Sequence, residues 1–184
     1  MMADVEAGMQ FLEKFRPKIF LRGNHDERLW DLLATGDGLL RDHAELGVKD
    51  ITTKCRNIKC KMLPYDSRNG IYRLHKLTFI HGYHAGIYAT KKHAEVYASA
   101  GGCVLHGHTH GIQQASIPKH GGGQGRGVGC LADLNPDYNR HQTAKLAHEH
   151  GFAYGVSGPS GWEVFQAKPN MDGKWVVAEK VTEI

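Results

Sequence analysis

Apolar residues recur along this chain in two periods, and each period marks an element. Over residues 3–16, Val5, Met9, Leu12 and Phe15 fall at helical spacing, which predicts an amphipathic helix that Pro17 ends. Lys18-Ile19-Phe20-Leu21 reads as a short buried strand running into a tight loop, Gly23-Asn24-His25-Asp26. A helix is expected over 27–34, with a second short helix, or a continuation of the first, over 39–46. Residues 57–63 and 70–81 read as strands, separated by the turn cluster Asp66-Ser67-Arg68-Asn69-Gly70. A helix follows over 85–100, then a third apolar strand, Cys103-Val104-Leu105. Beyond it the pattern is β-rich, with strands expected at 112–117, 126–131, 152–157, 162–167 and 174–181. Asn170-Met171-Asp172-Gly173 is a hairpin turn between the last two.

Three apolar strands in this reading each end in a polar cluster. The first delivers Asn24 and His25, the second His81-Gly82, and the third His106-Gly107-His108-Thr109-His110. Ligands of α/β sheets bind at the C-terminal ends of strands, so three clusters arriving at one such edge form the main physical signal of the sequence. An amide oxygen and several imidazoles suit divalent Mn, Fe, Zn or Ni. Gly23, Gly82 and Gly107 let the backbone turn sharply where each strand stops. Within His108-Thr109-His110 alternate side chains share a face, so two imidazoles of one segment can serve neighbouring ions.

Composition narrows the classes without choosing among them. The 184 residues are 41% hydrophobic and 23% charged, enough for one domain with a core, taken here as 1–184. No apolar run approaches the ~20 residues of a membrane span, and the amino terminus lacks the pattern of a signal peptide. A cytoplasmic location is the expectation. The net charge of +4 leans mildly towards a phosphate-bearing or nucleic-acid partner. Cys55 and Cys60 sit at the outer edge of zinc-ligand spacing with no second pair nearby, and the four cysteines are expected to be reduced thiols.

In order, Gly23-Asn24-His25-Asp26, His81-Gly82 and Gly107-His108-Thr109-His110 resemble the last three signatures of the calcineurin-like metallophosphoesterases: GNH(D/E), a lone His, and GHxH. The resemblance covers roughly residues 15–135 and is nearest to the stand-alone bacterial and phage-type enzymes. It implies an α/β fold, a β-sandwich flanked by helices. It also implies hydrolysis of a phosphomonoester or phosphodiester by a hydroxide bridging two divalent metals. Carried over residue by residue, it makes Asn24, His81 and His108 ligands of one metal and His110 a ligand of the other. His25 becomes the general acid and Asp26 the residue that orients it. His84, three residues beyond His81, is a candidate substrate contact. His106 is read as structural, and His120, His141, His148 and His150 as surface residues. The glycine-rich stretch 121–129 is read as a flexible loop, and residues 135–160 as a segment that shapes substrate choice.

The sequence departs from the family at its beginning. Neither DxH nor GDxxD occurs anywhere in the chain, and in the family these supply the carboxylates of the site. The expectation is a fold lacking its N-terminal β-α-β part, with weak or single-metal binding and little turnover alone. An upstream chain is then a candidate partner that supplies the missing ligands. The competing expectation is an inactive remnant, or a binding module for nucleic acid or protein.

Overall fold

The computed structural model describes residues 2–118, 120–135 and 147–177. By internal contacts the chain divides into two compact units, residues 1–72 and 73–184.

In the first unit, helix α1 (Met2–Phe15) leads to strand β1 (Ile19–Leu21), helix α2 (Asn24–Asp31), a 3₁₀ turn (Leu32–Ala34), helix α3 (Gly38–Asn57) and strand β2 (Lys61–Leu63). Arg16, in a left-handed conformation with φ 49°, closes α1 just before Pro17. The Asp37 carboxylate starts α3 by accepting the Leu40 amide at 3.1 Å. Lys59, at φ 58°, turns the chain out of it. The helix expected over 39–46 is therefore longer than its apolar pattern suggests, because the cap and the left-handed stop set its ends. Strands β1 and β2 pair in parallel, Ile19 opposite Lys61 and Leu21 opposite Leu63, as a two-stranded sheet joined by the helical crossover. Leu12, Cys55, Ile58 and Cys60 form the buried core of this unit, packed by Phe20, Ile51 and Met62. The free thiols of Cys55 and Cys60 lie within that core. Burial pushes the Cys55 thiol up to about 11, the state of an inert core cysteine rather than a thiolate ligand.

The second unit is built on a five-stranded sheet in the order β3-β4-β5-β7-β6. Its strands are β3 (Ile71–Leu74), β4 (Leu77–Ile80), β5 (Cys103–His106), β6 (Ile112–Ser116) and β7 (Gln124–Val128), with helix α4 (Ala89–Tyr97) between β4 and β5. The single strand expected over 70–81 is two strands, folded back where His75 takes a left-handed φ of 52°. No glycine or asparagine marks that turn, so the pattern hides it. β5, with all four residues buried, runs parallel to β4 on one side and β7 on the other. A second sheet, β10-β9-β8, combines β8 (Phe152–Gly158), β9 (Gly161–Pro169) and β10 (Trp175–Val176). Leu77, Cys103 and Leu105 of the first sheet pack with Val164 of the second, with Trp162 and Ala153 at the margin. The Arg126 guanidinium donates to the Val164 carbonyl at 2.7 Å across the same interface.

Helix α4 covers the other face, burying Ala89, Thr90, His93 and Ala94. A Cβ on Gly125 would stand 2.5 Å from the Thr90 carbonyl oxygen, so only glycine admits α4 this close to β7. The stretch 121–129 is thus mostly a strand, not a flexible loop, and Gly125 within it serves packing. The turn expected at 170–173 is present, with the Asn170 amide bonded to the Lys174 carbonyl at 2.9 Å. Of the last expected strand, residues 178–181 lie outside the described residues, as do His141 and the segment 136–146. The described chain is α/β, with no helix long and apolar enough to cross a membrane.

Candidate metal centre

Parallel pairing of β4 and β5 places Ile80 opposite His106, so both strands release their next residues at the same sheet edge. His81 follows β4 and the loop 107–111 follows β5. The two loops are fastened together: the amides of Gly107 and His108 both donate to the His81 carbonyl, at 3.0 and 2.9 Å. Gly82, at φ 118°, leaves the edge so closely under His108 that a Cβ there would lie 2.6 Å from the His108 Cβ. His81 Nε2 and His108 Nδ1 then face each other at 3.4 Å, with their rings edge to face.

That separation fits a shared ion. Two imidazole nitrogens each at ~2.1 Å from one metal subtend roughly a tetrahedral angle when ~3.4 Å apart. The donor set is imidazole, which suits Zn, Mn, Fe or Ni. Among the described residues no group of three or more His, Cys, Asp or Glu converges on one point. His81 and His108 are a pair, and an ion there would need amides, water, substrate or groups from elsewhere to complete its ligands.

Behind the pair lies a buried imidazole layer that the sequence pattern did not separate from the site. His93 of α4 is fully buried, and its Nε2 accepts the amides of Tyr83 and His84 at 2.8 and 3.0 Å. It thereby shapes the loop after His81. His84, expected as a substrate contact, has its ring 5.0 Å from that of His93. His106, expected to be structural, is 1% exposed and its Nε2 lies 2.9 Å from the Thr90 hydroxyl, which donates to Gln113. Burial, with the neighbouring imidazoles, holds His93 down to about 3 and His106 down to about 4. Both are neutral at working pH.

His110 takes a left-handed φ of 56°, uncommon for a residue with a side chain, and its carbonyl accepts the Glu149 amide at 2.9 Å. Its ring stands 4.7 Å from that of His148, edge to face. His148, read from the sequence as a surface residue, is half-buried against this loop. Nothing in the local pattern identifies it, because the contact joins positions 38 residues apart.

Asn24, His25 and Asp26 belong to the first unit and form the first turn of α2 rather than a loop before it. His25 is exposed and Asn24 half-buried. Asp26 Oδ2 accepts the Gly23 amide at 2.7 Å, capping the helix. Burial raises the Asp26 carboxyl above the usual range, against the Gly23 bond and the nearby His25. Arg22, just ahead of this motif, is 8% exposed. Its guanidinium pairs with Glu27 at 3.3 Å and stacks on Trp30 at 4.2 Å. His25 and Asp26 also border an apolar cavity of about 640 Å³ lined by α1, β1 and α2, including Met9, Phe11, Leu21 and Leu29. Strand β1 pairs only with β2 among the described residues, so the Asn24 cluster stands at the end of the two-stranded sheet, not of the five-stranded one.

Comparisons with protein-family models, with curated proteins and with solved structures gave no match.

Proposed function

We propose that this chain is a metal-dependent phosphoesterase of the calcineurin-like kind, hydrolysing a phosphomonoester or phosphodiester, with a nucleotide or nucleic acid as candidate substrate. The observation that carries the reading is the His81–His108 pair, two ring nitrogens 3.4 Å apart on one sheet edge. In this reading its fold is the family's helix-flanked β-sandwich, and it acts in the cytoplasm. Two divalent ions would supply charge neutralisation at the phosphoryl oxygens and an activated water.

The chain's own residues have distinct tasks. His81 and His108 would hold one ion and His110 the other. His25 protonates the departing alkoxide, a role suited to an exposed imidazole. Asp26, whose carboxylate accepts the Gly23 amide at 2.7 Å, fixes the helix turn that carries His25. His93, through the amides of Tyr83 and His84, holds the backbone next to His81. The carboxylates that DxH and GDxxD would bring come from outside these residues.

The test is hydrolysis of bis(p-nitrophenyl) phosphate in Mn²⁺, with and without a polypeptide bearing DxH and GDxxD. The expected result is negligible turnover by the chain alone and Mn²⁺-dependent turnover once the carboxylates are supplied. His25→Ala should then lower the rate ~100-fold or more, the usual worth of a general acid. Turnover indifferent to Mn²⁺ or to His25→Ala contradicts the reading. A second reading, an inactive module that binds nucleic acid or protein, is favoured by one observation: neither carboxylate motif occurs in the 184 residues. It predicts no turnover under any of these conditions.

A further inference from the structure

The loop after β5 carries a second imidazole pair, His110 with His148, and the chain is built to hold it. Residues 147–151 are sewn to that loop on both sides. The Glu149 amide donates to the His110 carbonyl at 2.9 Å, and Glu149 Oε2 accepts the Ile112 amide at 3.1 Å. On the far side, the Cys130 amide donates to the Glu149 carbonyl and the Gly151 amide to the Cys130 carbonyl, each at 3.0 Å. His150 is turned away, its Nε2 donating to the Ala132 carbonyl at 2.9 Å. Gly111 is required for the approach, since a Cβ there would meet the Ala147 carbonyl oxygen at 2.7 Å.

His148 is what this strap presents. Its Nδ1 is buried and finds no hydrogen-bond partner among the described residues. An orphaned imidazole nitrogen in a protein interior calls for a ligand or an ion. The ring geometry admits an ion. An imidazole centroid lies ~3.2 Å from an ion held at ~2.1 Å by its nitrogen, so two such rings on one ion have centroids ~4.5 Å apart at a right angle and ~5.2 Å apart at a tetrahedral one. The observed centroid distance is 4.7 Å, with the rings inclined by 61°. The strained backbone of His110 is a further mark of a position over-determined for a task.

We propose that His148 is a metal ligand that shares one divalent cation with His110. The assignment deepens the phosphoesterase reading, and rests on it for what the ion does but not for its binding. With no third His, Cys, Asp or Glu converging among the described residues, the ion's other positions are left to water, phosphate oxygens or carboxylates from outside. A His from the C-terminal half thereby replaces part of what the missing motifs would have supplied.

The test is titration of the full chain with Zn²⁺ alone, followed through the ring nitrogens in long-range ¹H–¹⁵N spectra and through calorimetry. The expected result is that ring nitrogens of His110 and His148 shift together in one saturable step. His148→Ala should weaken that step at least tenfold while the shifts of His81 and His108 persist. A His148 ring that stays still while His110 moves overturns the proposal, as does a titration in which neither moves. Affinity unchanged in a folded His148→Ala also overturns it. The wild-type spectra decide the matter even if the variant does not fold. Coupled shifts with no hydrolysis even when DxH and GDxxD are supplied would leave this site standing and remove the phosphoesterase reading; hydrolysis under those conditions with a silent His148 would do the reverse.

Discussion

At the scale of single residues, the second unit depends on histidines doing different jobs a few ångströms apart. His81 and His108 face one another, while His93 and His106 sit behind them as neutral hydrogen-bonding groups. Identity alone did not separate these roles. The glycine-flanked positions of His81, His108 and His110 were legible as candidate ligands. His93 was not, because it lies on a helix and its partners are backbone amides ten residues away. The roles leave a signature in pH. His93 and His106 have folded pKa values of about 3 and about 4, below the ~6.5 of an unfolded histidine. The unfolded chain therefore binds more protons between those values, and stability rises with pH across that range. Stability should be complete above about pH 6.5 and fall as pH drops towards 4 and then 3. His93→Gln should flatten that slope in urea titrations run from pH 7 to 4. An unchanged slope would show that His93 is not held neutral.

At the scale of elements, the strands that bear the candidate ligands were legible because they are short, apolar and stopped by Gly-flanked polar clusters. Two features were not. The turn at His75 hides inside an apolar run, since a left-handed histidine gives no composition cue. The glycine stretch 121–129 looked like a loop because glycine is scarce in strands. Its reason is tertiary: a Cβ on Gly125 would meet the Thr90 carbonyl oxygen at 2.5 Å and the Ala94 Cβ at 3.1 Å. Gly125→Ala should push α4 off the sheet and cost roughly 1–3 kcal/mol, the usual range for overpacking. Chemical denaturation would show a lower midpoint at unchanged m-value. Because Thr90 bonds His106, the same change should disturb the His106 ring resonances. A midpoint equal to wild type would mean that α4 has slack the structure does not show.

At the scale of the whole molecule, the sequence supplied the α/β class and the order of the motif clusters but not the grouping of the strands. β1 and its Asn24 cluster belong to a unit with its own core and its own two-stranded sheet, while β4 and β5 belong to the five-stranded sheet. Pairing partners are chosen by long-range contacts that no local window contains. The same holds for His148, brought to His110 across 38 residues of chain. That the edge shared by β4 and β5 holds a divalent cation is tested by calorimetric titration with Mn²⁺ of wild type, His81→Ala and His108→Ala. Saturable binding to wild type is expected, weakened at least tenfold by either substitution with the fold intact. No binding to wild type, or binding that both variants retain unchanged, would contradict it.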